Sequence, residues 1–321
     1  MRGNLAPGAF VSSRLQLILF GIVAGLASVD AVWLNAGHFD VDVWGYGGIA
    51  LLTLLFGCGG FYYDRVRKEE RLAAMLIGTS FLLGMSAGFS VLNYLLLTVA
   101  GHRIDAPLAL LDRAIGVDWP ALMALAAQHP FVAAAMQLAY ISVLPQLALL
   151  VAVLGLFGRH ERIYALCLCL TAGAALCISV WTLAPSFGAF SVYSLPASVA
   201  HRLPLALDGH YANALVGLLA HGPGRISPTD AKGLIGFPSF HAAMALFVVW
   251  HARELAVVRW FALALNALVL VATPIQGGHH VVDVIGGFAV AALAILIAGR
   301  IVRYAARTQG VVASDAQPAG I

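Results

Sequence analysis

Apolar runs of membrane-crossing length recur along this chain, and nothing else in it constrains the fold so tightly. A transmembrane helix needs roughly 20 predominantly apolar residues. Eight stretches approach that length: residues 15–34, 45–62, 72–100, 131–157, 163–184, 238–252, 258–275 and 281–301. Composition supports the same reading, with 61% hydrophobic and 10% charged residues, where ordinary soluble domains run near ~45–50% and ~25%. The expectation is an all-α polytopic bundle of about eight transmembrane helices with short interfacial helices on its outer face. With no internal repeat and only short loops on one side, residues 1–321 read as a single integral-membrane domain. Its catalytic core falls at about 185–300 and a flexible tail at 308–321.

The basic residues orient the bundle. Arg2 and Arg14 precede the first run, and Arg65, Arg67, Lys68 and Arg71 follow the second. Arg159 and Arg162 follow the fourth, Arg253 and Arg259 the sixth, and Arg300, Arg303 and Arg307 the eighth, which puts 13 of the 18 Lys and Arg on one side. Arg103, Arg113, Arg202, Arg225 and Lys232 fall on the other, in two long segments, 101–130 and 185–237. By the positive-inside rule both termini are cytoplasmic. The setting expected is a bacterial inner membrane, with those two segments on the periplasmic face. Arg2, Arg14 and the small residues Ala24, Ala27 and Ser28 imitate a secretory signal, but the length of the run favours a retained anchor. The net charge of +3 lies beside apolar runs, so it reports topology and excludes a nucleic-acid partner. Cys58, Cys167, Cys169 and Cys177 all sit inside apolar runs without metal-ligand spacing, which points to packing and to neither a disulfide nor a zinc site.

In segment 101–130, Leu108, Leu111 and Ile115 recur at helical intervals with Asp105, Asp112 and Arg113 elsewhere, and Asp118 followed by Pro120 starts a second short helix. Both are expected in the interface plane. Segment 185–237 is rich in Gly, Pro and Ser and carries His201, Arg202, Asp208, His210, Tyr211, His221, Arg225 and Lys232. It reads as a cap. Its tail runs into Phe237-Pro238-Ser239-Phe240-His241, and a second string, Gly278-His279-His280-Val281-Val282-Asp283, opens the last apolar run. The topology brings both to the outer face.

His279 and Asp283 are four residues apart and share one helix face. The carboxylate can take the proton of one ring nitrogen, fix the tautomer and leave the other nitrogen free to attack phosphorus. His241, arriving from another helix, can protonate the leaving oxygen and later activate an acceptor. Pro238 suits a helix start, where free N–H groups and the Ser239 hydroxyl make a small anion site. A carboxylate in an apolar membrane helix costs several kcal/mol and marks function. Residues 237–251 reach only ~22 Å across a core of ~30 Å, so the site lies at or below headgroup level. His280 points about 100° away from His279, as a substrate contact or a structural group. Gln137, Tyr140, Ser142, Gln146 and Asn93 serve either interhelical hydrogen bonds or pocket lining.

Pro238-Ser239-Phe240-His241 followed by His279-x-x-x-Asp283 resembles the second and third signatures of the type 2 phosphatidic acid phosphatase superfamily, which includes lipid phosphate phosphatases, glucose-6-phosphatase and vanadium haloperoxidases. The wording Phe-Pro-Ser-Phe-His-Ala-Ala and His-His-Val-Val-Asp-Val-Ile-Gly-Gly is most similar to the inositolphosphotransferase or inositol phosphorylceramide synthase branch. Asp112-Arg113-Ala114-Ile115-Gly116-Val117-Asp118-Trp119 is similar to bacterial members. The resemblance is strong over about 237–287 and weaker back to about Asp105. It implies His279 as nucleophile, Asp283 as its partner and His241 as general acid, with no cofactor and no metal. Three positions depart from the pattern: Phe240 stands for a glycine, Thr273 for an arginine, and no Lys-x6-Arg-Pro string occurs. The phosphate must then find other cations, and Lys232, Arg225 and Arg202 share the segment leading to His241. Phe240 could exclude water and stack on a sugar or lipid, favouring transfer over hydrolysis, or simply pack.

The function expected is phosphoryl transfer from a phospholipid or lipid phosphate at the outer membrane face through a phosphohistidine, to water or to an alcohol, with an inositol-type phosphotransferase making a phosphorylated sphingolipid or glycolipid as the alternative. Two other classes fit parts of the pattern. A proton-coupled transporter would place polar residues at mid-membrane in several spans, whereas these gather at one mouth. A metal-dependent hydrolase would need His241 as third ligand beside His279 and Asp283.

Overall fold

The computed structural model describes residues 7–314, with side chains from 13 to 307; Arg2 and the last residues of the expected tail, 315–321, lie outside them. In a bilayer the backbone has no water to bond, so its hydrogen bonds close within helices. Thirteen α-helices follow: α1 Pro7–Gly37, α2 Val43–Tyr62, α3 Glu70–Leu96, α4 Asp105–Ala114, α5 Trp119–Gln128, α6 Pro130–Ile141, α7 Val143–Leu156, α8 His160–Leu183, α9 Ala197–Ala200, α10 Gly209–His221, α11 Phe240–Ala252, α12 Ala256–Gln276 and α13 Val281–Ser314. The molecule is an all-α polytopic membrane bundle. Among the described residues six helices are long and apolar enough to cross a membrane, or seven if α5 and α6, bent by 112°, count as one.

All eight apolar runs are helical, but two differ in form from simple spans. The run at 131–157 is divided between α6 and α7 at Ser142. Pro145 has no N–H for the Ile141 carbonyl, which removes the bond that would carry the helix through. The run at 238–252 holds α11, only 13 residues long, ~20 Å against a core of ~30 Å. α13 runs on to Ser314, through the first half of the stretch expected as a tail.

α8 is the axis of the bundle and packs against α1, α3, α7, α11 and α13. Ile163, Leu166, Cys167 and Trp181 on it have no exposed surface. Cys169 and Cys177 are buried there too, whereas Cys58 on α2 faces outward. Leu54, Phe131, Leu149, Val257 and Phe261 are also exposed. An apolar exterior over an apolar core is what lipid as solvent allows.

The helices' ends divide the molecule chemically. At one end Arg162 pairs with Glu254 and donates to the His251 carbonyl, and His160 lies 3.7 Å from Glu70. The cap, 185–237, covers the other end and is tied to α1–α3. Ile226 bridges to Val41, and the Tyr94 hydroxyl accepts the Lys232 N–H at 2.8 Å. Asp42 caps α2 by accepting from Gly45 N, and its other oxygen accepts from Ser227 Oγ at 2.8 Å.

α4 buries only part of the apolar face expected of it: Leu108 goes inward, Leu111 and Ile115 do not. Asp105 and Asp112 are 2% and 1% exposed alongside buried Leu108 and Ala109, while Leu111 and Ile115 are more than half exposed. Positions seven apart share a face, and each buried carboxylate has N–H donors that offset its burial.

The Gly45 N–H and the Ser227 hydroxyl hold the Asp42 carboxyl below the usual carboxylate range. The fold therefore favours its charged form, and the contribution is lost as pH falls through that lowered value. Asp42→Ala should accelerate amide hydrogen exchange at 225–229 while α8 stays protected; unchanged exchange in the cap would show that the clamp is not formed.

Candidate active site

The nucleophile candidate sits on a four-residue turn, 277–280, between α12 and α13. Gln276 anchors the turn from below: its amide donates to the Ala133 carbonyl at 3.0 Å, its side-chain oxygen accepts from Ala206 N at 3.1 Å, and its carbonyl accepts from Leu207 N. Gly278 has φ +61, and its carbonyl accepts from Ala189 N in the cap. A Cβ on Gly277 would lie 2.6 Å from the Tyr140 hydroxyl. Glycine is what lets this backbone slip between Tyr140 and the cap.

His279 is thereby held with Nδ1 3.2 Å from Asp283 Oδ2 and Nε2 3.4 Å from Ser239 Oγ. Asp283 has no exposed surface, and Oδ2 also accepts from His280 N at 2.9 Å. Burial pulls His279 down to about 4, partly offset by a backbone interaction with Gly236. The imidazole is therefore uncharged near neutral pH. In the tautomer that donates from Nδ1 to Asp283, Nε2 carries the lone pair.

The second motif docks backbone to backbone on the first. Ser239 N donates to the Asp283 carbonyl at 2.9 Å, and its hydroxyl caps α11 by accepting from Ala242 N. A Cβ on Gly287 would lie 2.5 Å from the Ser239 carbonyl oxygen, so the Gly-Gly pair of α13 permits this approach. His241, in the first turn of α11, stacks on Tyr140 with centroids 4.3 Å apart and planes at 11°. His241, His279, Tyr140 and Tyr211 then line one cavity of about 170 Å³.

The residues named from sequence separate into two groups. His279, Asp283, His241 and Ser239 come together. Lys232 stands near the rim, with Nζ 5.3 Å from the Tyr211 ring centroid. Arg225 is turned away onto Asp42 at 3.3 Å, and Arg202 is exposed and lines neither this cavity nor the one beside it. Phe240 packs in the apolar core, against the position of Gly173 on α8 and away from the cavity wall. His280 is fully buried with Nδ1 3.4 Å from Asp112 Oδ2. Of the polar span residues, Tyr140 lines the cavity, whereas Gln146 bonds Ser142 at 2.8 Å and Asn266 at 2.7 Å. Among the described residues no group of three or more His, Cys, Asp or Glu side chains is placed to hold a metal ion.

Two acidic residues of α4, away from the positions of Leu111 and Ile115, hold the walls of the cavity. Asp105 accepts from Ser186 Oγ and from the backbone N–H of Phe187 and Gly188, and it pairs with Arg103 at 2.6 Å. Phe187 and Gly188 line the cavity, and the Arg103 guanidinium lies 5.5 Å from the Phe187 ring centroid. Asp112 accepts from Val281 N at 3.0 Å and Val282 N at 2.9 Å, so it caps α13 from a different helix. Trp119 completes the brace by donating to the Pro274 carbonyl at 2.9 Å. The seven-residue spacing of Asp105 and Asp112 was the available signal, but the apolar positions beside them pointed the other way.

A buried His–Asp pair and a second histidine thus meet in one cavity at the mouths of apolar helices in an all-α membrane bundle. A family model of the PAP2 superfamily matches residues 106–297, more than half of the chain. The chain belongs to that superfamily, whose members are generally phosphatases and phosphotransferases. No curated protein and no solved structure matches it.

Asp112→Ala should lower stability by about 1–2 kcal/mol, the cost of a lost helix cap, and Asp112→Asn by less, because its amide oxygen can still accept. Thermal unfolding in detergent measures both. Equal stability of Asp112→Ala and the parent chain would remove the cap.

Proposed function

We propose that this protein transfers a phosphoryl group from a phospholipid or lipid phosphate through a phosphohistidine, in two displacements at the outer membrane face. The observation that carries the reading is the geometry of His279: Nδ1 on a buried carboxylate, Nε2 beside Ser239, and His241 on the same cavity. Nε2 attacks phosphorus, His241, carrying a proton taken up with the anionic phosphate, gives it to the departing oxygen, and the Asp283 carboxylate stabilises the cationic ring that forms. Water or an alcohol then attacks, returning its proton to His241. The Ser239 hydroxyl and Lys232 at the rim are the groups suited to the phosphoryl oxygens. The likeness of the two strings to the inositolphosphotransferase branch favours an alcohol as acceptor.

The concentration of Arg and Lys at the end away from the cap supports cytoplasmic termini and a periplasmic site. Gly224→Cys should react with an impermeant thiol reagent in intact spheroplasts, and Glu69→Cys should not. The reverse pattern would put the site in the cytoplasm.

Incubation of the purified chain with radiolabelled lipid phosphates, with and without inositol, should give free phosphate or a phosphorylated alcohol, in chelator as well as without it. His279→Ala should abolish turnover, and Asp283→Asn should lower it by about a hundredfold or more. Full activity in His279→Ala sinks the proposal. Because burial holds His279 near 4, its neutral form predominates above that value. The rate should therefore fall as pH drops through about 4, and a loss already centred near 6.5 would mean that the free imidazole is not what the acid limb reports.

A further inference from the structure

A second cavity of about 470 Å³ lies in the cap beside the catalytic one, and the two share Phe190 and Asp208. Its lining is mixed: Leu195, Leu203 and Leu205 join the aromatic Tyr193 on the apolar side, and Ser194, His210 and Asn213 join Asp208 on the polar side. The aromatic wall is fixed from behind. Trp119 stacks on Tyr193 with centroids 5.7 Å apart and meets Phe190 edge-on at 4.9 Å. Arg113 donates to the Tyr193 hydroxyl at 3.2 Å, and its guanidinium lies 5.5 Å from that ring's centroid. The segment Asp112–Trp119 thus braces this wall and the His279 turn together.

The lining selects a chemistry. Among the described residues no Lys or Arg lines the cavity, so it offers nothing to neutralise a second phosphate. An acyl chain would strip water from Asp208, His210 and Asn213 without returning a hydrogen bond, which is costly. A ring or short chain bearing several hydroxyls meets both requirements: its C–H face lies on the aromatic wall and its hydroxyls bond the carboxylate, imidazole, amide and serine. We propose that this cavity is a subsite for a neutral polyhydroxylated alcohol, placed to deliver it to the catalytic cavity. The proposal rests on the phosphohistidine reading and specifies its acceptor. The bound alcohol's oxygen attacks phosphorus, the bond between phosphorus and His279 Nε2 breaks as the new O–P bond forms, and the hydroxyl proton passes to His241. The same subsite could instead hold such an alcohol as the leaving headgroup of the donor lipid.

Equilibrium dialysis of the full chain in nanodiscs against radiolabelled inositol, glycerol and glucose, with 1-butanol as the monohydric control, tests the subsite without turnover. Saturable binding of at least one polyol is expected, about tenfold weaker in Asn213→Ala and in His210→Ala and unchanged in His221→Ala, on the same helix but outside the lining. No saturable binding, or binding equal in all variants, overturns the proposal. Turnover of labelled phosphatidic acid then separates the sources. A phosphorylated polyol among the products marks an acceptor, whereas competition only against a phospholipid carrying that polyol marks a leaving group. Polyol binding without any donor turnover would count against the phosphohistidine reading alone, and donor turnover without polyol binding against the subsite alone.

Discussion

The capped end of this bundle depends on one buried residue, Asp283, used three ways. Its carboxylate takes His279 Nδ1 and the His280 N–H, and its carbonyl takes the Ser239 N–H. A carboxylate buried in a membrane helix is costly unless hydrogen-bonded, so these partners are conditions of folding as well as features of the site. The same contacts fix the separation of α11 and α13. The histidine at the mouth of each helix is thereby brought to one cavity, with the 277–280 turn held from the cap side by Ala189, Ala206 and Leu207, and the glycines at 286 and 287 keep that approach open.

A second layer of buried carboxylates sets the frame in which Asp283 works. α4 lies across the mouth with Asp105 bonded to the Phe187–Gly188 backbone and Asp112 capping α13. One rigid helix therefore registers the cap-side wall against the nucleophile-side wall. Either carboxylate alone would be an expensive burial. Each is offset by backbone donors that would otherwise be orphaned, since the first N–H groups of a helix and of a tight turn have no partner of their own.

This division explains what the sequence could disclose. Eight apolar runs, the two histidine strings and their shared end were legible because each rests on local spacing: about 20 residues for a span, four for His279 and Asp283. The buried aspartates of α4 were not legible, because Leu111 and Ile115 lie exposed while Leu108 and Ala109 are buried, so apolar spacing alone does not mark the inner face where lipid is the solvent. Lys232, Arg225 and Arg202 share a segment, yet only Lys232 lies near the rim; Arg225 is drawn to Asp42, 183 residues away in sequence. Phe240 next to His241 suggested a role at the acceptor, but successive helical residues diverge by about 100°, and its ring packs toward α8. The division of the fourth run at Ser142 was marked by Pro145, though length alone read as one span.

The superfamily match begins at residue 106, so α1, α2 and α3 lie outside it, yet they are not mere additional anchor. Asp42 and Val41, between α1 and α2, hold Arg225, Ile226 and Ser227, and Tyr94 on α3 accepts Lys232 N and donates to the Asp230 carbonyl. Every one of these cap residues lies in the stretch that leads directly into Gly233–Gly236 and the His241 helix. A cap rich in glycine and proline has little core of its own to order it, and its backbone entropy must be offset from outside. The three N-terminal helices supply that order, fixing the cap's last stretch at one edge while Gln276 fixes Ala206 and Leu207 at the other. Between those two fastenings lies α10, whose first residues border both cavities. The border between the two cavities is therefore set by a helix suspended between the contacts of α12 and those of the three helices that precede the superfamily match.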